Sequence, residues 1–118
     1  MPYIDCFMAA VPTNNREVYL EQAKISAQVF KDHGAISIIE CWGDDIPDGK
    51  LTSFPLAVKC EPEETVVIGW VTWPDKPSRD AAMPKVMQDK RMEMASKFMP
   101  FDTKRLVFGG FDVLLELR

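Results

Sequence analysis

The chain opens with an almost unbroken apolar run, Tyr3 to Val11, in which Asp5 is the only charge. Apolar side chains on both faces of such a run predict a central β-strand. Pro12-Thr13-Asn14 breaks it, and Asn14 with Glu17 three residues later reads as a capping box. Leu20, Ala23, Ala27 and Phe30 follow at 3-4-3 spacing, one helical stripe facing a sheet, until Gly34 offers a left-handed stop. Lys31 and His33 fall in the last turn, where His33 suits the free carbonyls. Ile36 to Trp42, rich in β-branched residues, predicts a second strand, and turn residues fill Gly43 to Lys50. Leu51 to Cys60 predicts an extended hairpin arm whose Phe54-Pro55 marks an edge or bulge. Thr65 to Trp73 is a third strand, ended by Pro74. Asp75 predicts the cap of a second helix running to about Asp89, with Ala82, Met83, Val86 and Met87 on its apolar face. Pro84 should kink or split that helix, at about 3 kcal/mol unless packing compensates. Arg91 to Met99 predicts another helical segment, and Arg105 to Leu117 a last strand with a bulge at Gly109-Gly110.

Two strand–helix–strand units joined through a hairpin describe an α+β, ferredoxin-like βαββαβ domain over residues 1–118, its helices on one face of an antiparallel sheet. That layout leaves the second sheet face bare, although the first, third and fourth strands are apolar on both sides. An uncovered apolar face of that size is a partner site. Pairing of two copies through it, with two-fold symmetry, is therefore expected.

Charge and composition narrow the function classes. At 118 residues, with 47% hydrophobic and 27% charged, the chain has the balance of one ordinary globular domain. A net charge of −4, with the basic residues dispersed, argues against a nucleic-acid partner. No apolar run approaches the roughly 20 residues that span a bilayer, and no secretory leader pattern opens the chain, so a cytoplasmic location is expected. Three separated cysteines, Cys6, Cys41 and Cys60, point to reduced thiols, and one histidine excludes a multi-histidine metal site. No phosphate-binding glycine loop or other cofactor motif is present, so no cofactor is expected.

Asp5 is a candidate acid or base, because a charge inside an apolar strand must be paired or put to use. Arg105 or Lys59 on another segment is its expected partner, and both join the candidate ligand-binding set. Glu40 to Lys50 places a carboxylate, the Trp42 indole and the Asp44-Asp45 pair where a strand passes into a loop. Adjacent aspartates suit a general base, since like charge raises one pKa. They equally suit a turn, as caps for backbone amides, which is the commoner use. Trp42, Phe54 and Phe101 are candidates to line a pocket for a small apolar ligand, with packing in the core as the plainer alternative.

Tyr3-Ile4-Asp5, the run Glu40-Cys41-Trp42-Gly43-Asp44-Asp45-Ile46-Pro47-Asp48-Gly49-Lys50, Met99-Pro100-Phe101-Asp102 and Phe108-Gly109-Gly110-Phe111 resemble the YbaA-like family of uncharacterised bacterial proteins. The resemblance runs along essentially the whole chain and implies a dimeric α+β barrel. It assigns no catalytic residue. Two readings of function stand at this level. One is a homodimeric small-molecule-binding or cofactor-free catalytic domain, with Asp5, Asp44 and Asp45 as catalytic candidates. The other is a non-catalytic protein-interaction module built on the loop from Gly43 to Phe54.

Overall fold

β1 (Tyr3–Pro12) lies inside a four-stranded antiparallel sheet, where a strand apolar on both faces belongs, in a computed structural model that describes residues 1–118. The strand order is β2-β3-β1-β4, with β2 at Ser37–Trp42, β3 at Glu64–Trp73 and β4 at Val107–Asp112. Helices α1 (Arg16–Asp32) and α3 (Lys76–Gln88) connect the strands, giving the expected ferredoxin-like βαββαβ layout. α4 (Lys90–Ala95) follows α3 directly and packs on α1.

Because side chains alternate along a strand, β1 presents Tyr3, Asp5, Phe7, Ala9 and Val11 to the helices. Buried Tyr3, Val71, Trp73, Ala35 and Ala82 pack at one end of that layer, and Ala9, Val11, Val67 and Tyr19 at the other. Ile4, Cys6, Met8, Ile68, Trp70, Ile39, Val107 and Phe111 fall on the opposite face by the same alternation. There Val58 covers Ala10 and Val66, with Met8 and Cys60 packed beside them, but does not reach Phe111, which keeps 55% of its surface exposed.

Several local expectations are corrected. Asn14 caps nothing: the chain passes through a 3-10 turn at Thr13–Asn15, and the Asn15 amide donates to the Pro100 carbonyl at 2.9 Å. The inward stripe of α1 keeps Ala23, Ala27 and Phe30 but starts at Tyr19, which is buried, and not at Leu20, which is 45% exposed. The longer Tyr19 ring reaches across to the Trp42 and Phe101 rings, contacts that Leu20 could not make from that position. Leu51 to Cys60 is not a strand. Ser53 accepts from the Leu56 amide and opens a one-turn helix, α2 (Phe54–Ala57), with Pro55 in its first turn.

Pro84 is accommodated within α3, which runs on to Gln88. Pro84 and Asp80, whose carbonyl loses its amide partner, are both exposed, where water can take the bond. Asp75 caps this helix as expected, accepting from Ser78 at 2.8 Å. Asp89 ends it and caps α4. The His33 ring meets that Asp89 carboxylate at 3.0 Å rather than the carbonyls of its own helix. Gly109 and Gly110 form no bulge, because they pair in unbroken register with Cys6 and Asp5. A Cβ on Gly110 would collide with the Tyr3 ring, so glycine there answers to an aromatic neighbour.

Candidate functional site

A cavity of about 470 Å³ opens between the helix-facing side of the sheet and α1, α3 and α4. Sixteen of its 23 lining residues are hydrophobic, so its few polar groups carry unusual weight. The floor is one cross-strand row in which Glu40 of β2, Gly69 of β3, Phe7 of β1 and Phe108 of β4 stand opposite one another. Gly69 makes the row possible. A Cβ there would lie 2.5 Å from the Phe7 ring and 2.9 Å from the Ile39 carbonyl oxygen, so only glycine lets the ring lie across β3.

Glu40 belongs to an edge strand and keeps solvent contact as a residue, yet protein surrounds its carboxyl where it meets the cavity. Burial raises its pKa above the ordinary carboxylate value. The Tyr19 hydroxyl donates to Oε1 at 2.6 Å and pulls the other way, as the smaller effect. Tyr19 is itself pushed well up, by burial first and the Glu40 charge second, so it remains a donor. A carboxylate poised upward beside a fixed phenol can accept a proton from a bound molecule.

Three residues along from Tyr19, Gln22 lines the same cavity. Its amide nitrogen donates to the Ala95 carbonyl and approaches the Met99 sulfur at 3.9 Å. Its Oε1 is buried with no partner, a cost of about 1–3 kcal/mol wherever no donor reaches it. Met83, Met92, Met99 and Phe101 form adaptable apolar walls around these groups.

Asp5 also lines the cavity, and its partner is Arg79 rather than Arg105 or Lys59. Arg79 Nε donates to both carboxylate oxygens at 3.1 and 3.3 Å, Nη2 donates to Oδ1 at 2.8 Å, and the buried Trp73 indole donates to Oδ2 at 3.0 Å. Both oxygens are thus engaged. Arg105 instead makes a two-pronged pair with Glu64 at 2.6 and 2.7 Å and holds Asp102 and the Lys59 carbonyl. Lys59 itself is exposed, with φ at 51°.

The sequence candidates therefore separate. Asp5 and Phe101 meet in the large cavity. Trp42, Asp44 and Phe54 border a smaller hollow of about 150 Å³ with Ile46 and Ile68. The Trp42 ring also rests 6.3 Å from Tyr19, with the Arg16 guanidinium 5.6 Å above it. Asp45, Lys59 and Arg105 border neither space. Sequence reasoning passed over Phe7, Tyr19, Gln22 and Arg79. The signal for one of these was a polar residue, Gln22, set with Ser26 inside the apolar stripe of α1. No group of three or more His, Cys, Asp or Glu side chains converges as a metal site would require. No helix is long and apolar enough to cross a membrane.

The fold is found in solved structures of very different sequence. Rv0793 from Mycobacterium tuberculosis matches at a TM-score of 0.56 and 9% identity, over 100% of both chains. A protein from an uncultured marine organism, described as a dimeric ferredoxin-like protein, matches at 0.57 and 12%, over 99% of this chain and 100% of that one. These share the ferredoxin-like α+β fold of this chain. By sequence it is 47% identical over 116 residues to the uncharacterised protein YbaA of Escherichia coli K12, covering 98% of this chain and 99% of that one. A family model for proteins of unknown function, DUF1428, matches residues 2–103. The chain belongs to the DUF1428 family.

Proposed function

We propose that residues 1–118 form one cytoplasmic domain that works as a homodimer and binds a small apolar molecule in each cavity. Without a cofactor, Glu40 takes a proton from a carbon next to a carbonyl of that molecule, and the C–H electron pair passes into the ligand's own carbonyl as an enolate. The carboxyl then carries the proton, and the Tyr19 hydroxyl continues to hold Oε1. Phe7, Phe101 and Phe108 pack the ligand, while Asp5 holds Arg79 in the wall. The observation that supports this reading is the raised carboxylate in an apolar cavity, the arrangement a general base needs near neutral pH. Ala27 lines the cavity from α1, so Ala27→Phe would put a phenyl ring into the space the ligand needs. Fragments that broaden in ligand-observed NMR with the wild-type chain should stop binding to a folded Ala27→Phe variant. Unchanged binding, or no binding by any fragment, would sink the proposal.

The dimer reading draws on the apolar outer face, where Ile39, Val107 and Phe111 are exposed and Ile4, Ile68 and Trp70 are only partly covered. A two-fold contact of about 800 Å² per copy meets the size of a stable interface. Sedimentation should give a dimer, and Ile68→Glu a monomer. A wild-type monomer at micromolar concentration would refute it. The hollow beside half-exposed Phe54 supports a second reading, a docking point for another protein, with Asp44 at its rim.

A further inference from the structure

The polar groups of the large cavity are unequally spent. On the protein side the donor groups of Tyr19, Gln22, Ser26 and Arg79 each already meet an acceptor. The Tyr19 hydroxyl is given to Glu40, the Gln22 amide nitrogen to Ala95, and the Ser26 hydroxyl turns to the Met92 sulfur at 3.9 Å. The Arg79 guanidinium is closed over Asp5 and flanked on its other nitrogen by Asp80 at 2.8 Å, so its charge is neutralised twice. One carboxylate oxygen and one amide oxygen are left. Glu40 Oε2 has no hydrogen bond from the protein, and Gln22 Oε1 is buried without a donor in the same wall.

From this imbalance we infer that the cavity selects apolar ligands that carry a hydrogen-bond donor, a hydroxyl or an N–H, and rejects carboxylates and other anions. The inference rests on the reading of this cavity as a ligand site and adds the class of ligand it takes. A donor meets Glu40 Oε2 directly. A second donor, entering between α1 and the end of α4, satisfies Gln22 Oε1. An anion finds no unpaired cation and sits beside the Glu40 charge instead. A purely apolar molecule fits the walls but leaves both acceptors empty.

Three bicyclic probes of matched size separate these terms: 2-naphthol, 2-methylnaphthalene and 2-naphthoate. Dissociation constants measured by NMR titration at pH 7 should place 2-naphthol at least about tenfold tighter than either other probe, the effect of one hydrogen bond to a charged acceptor. Glu40→Gln should weaken 2-naphthol and strengthen 2-naphthoate, while Gln22→Leu, which removes an acceptor that the single hydroxyl of 2-naphthol does not need, should spare both 2-naphthol and 2-methylnaphthalene. If either variant fails to fold, the wild-type order alone decides. Equal binding of 2-methylnaphthalene and 2-naphthol, or tightest binding by 2-naphthoate, overturns the donor rule and leaves the cavity as a ligand site. Binding by none of the three overturns both.

Discussion

Replacing Asp5 with alanine should cost far more stability than removal of an ordinary surface carboxylate. The side chain accepts from three donor nitrogens, two on Arg79 and one on Trp73, and Trp73 is fully buried. Leaving that indole N–H without an acceptor costs about 1–3 kcal/mol. Breaking a buried ion pair costs about 3–5 kcal/mol. Asp5 and Arg79 retain 20% and 24% of their side-chain exposure, and Arg79 keeps Asp80, so the pair itself is worth closer to ~1 kcal/mol. Together these give about 3 kcal/mol, which for a domain this size is a drop in Tm of ~10 °C. Urea unfolding followed by fluorescence measures it directly. Asp5→Asn keeps one acceptor for the indole and should lose about half as much. Arg79→Leu alone should cost ~2 kcal/mol, and the Asp5→Ala, Arg79→Leu double variant at least ~1 kcal/mol less than the sum, because the two changes remove the same contact. A loss below ~0.5 kcal/mol for Asp5→Ala, or strict additivity, would mean that Asp5 does not anchor this corner.

Gly69→Ala should destabilise by about 1–3 kcal/mol through overpacking, and NMR should show the Phe7 ring displaced into the cavity. Glu40→Gln should raise stability at pH 7 by under ~1 kcal/mol. A pKa raised in the fold penalises the charged form, so the wild-type chain gains stability as pH falls toward the unfolded value of 4.5, and the variant should lack that gain in a urea series from pH 7 to 4. Glu64 has the opposite sign. The Arg105 hydrogen bonds hold its pKa down, so its contribution is full above 4.5 and is lost as pH falls through the lower folded value. Glu64→Gln should therefore be less stable at pH 6 and should flatten the acid limb of the unfolding profile.

Much of the fold could be read from the chain because it is written in local periodicity. The double-sided apolar run of β1, the turn residues after Trp42 and the Asp75 cap each depend on neighbours a few positions away. Leu51 to Cys60 was misread because Phe54-Pro55 suits an edge strand and a helix start equally, and Ser53 as a cap decides between them. The glycines of β4 were misread because the Tyr3 ring that requires Gly110 lies more than a hundred residues earlier. The site was less legible for the same reason. Asp5 stood out as a charge in an apolar strand, but its partner depends on which turn of α3 crosses β1. Glu40 was noticed for its neighbours Trp42 and Asp44, whereas its position rests on the pleat, which turns Glu40 toward Tyr19 and sends Cys41 to the other face.

That pleat gives the Tyr19–Glu40 bond a second role. β2 is an edge strand paired only with β3, and a slip of one residue would carry Glu40 to the outer face. Ile39 or Cys41 would then stand opposite Gly69, and the cavity would hold an aliphatic chain or a thiol in place of an acid. Backbone bonds from Ile36 to Thr72 and from Gly43 to Val66 brace the two ends of the strand, but a ladder shifted by a residue could form bonds of the same kind. The phenol of Tyr19 discriminates between the frames, since only one of them offers it a carboxylate. A single inserted residue between Gly34 and Glu40 could thus leave a folded sheet while erasing the acid from the cavity, and Tyr19 acts as the gauge that keeps count.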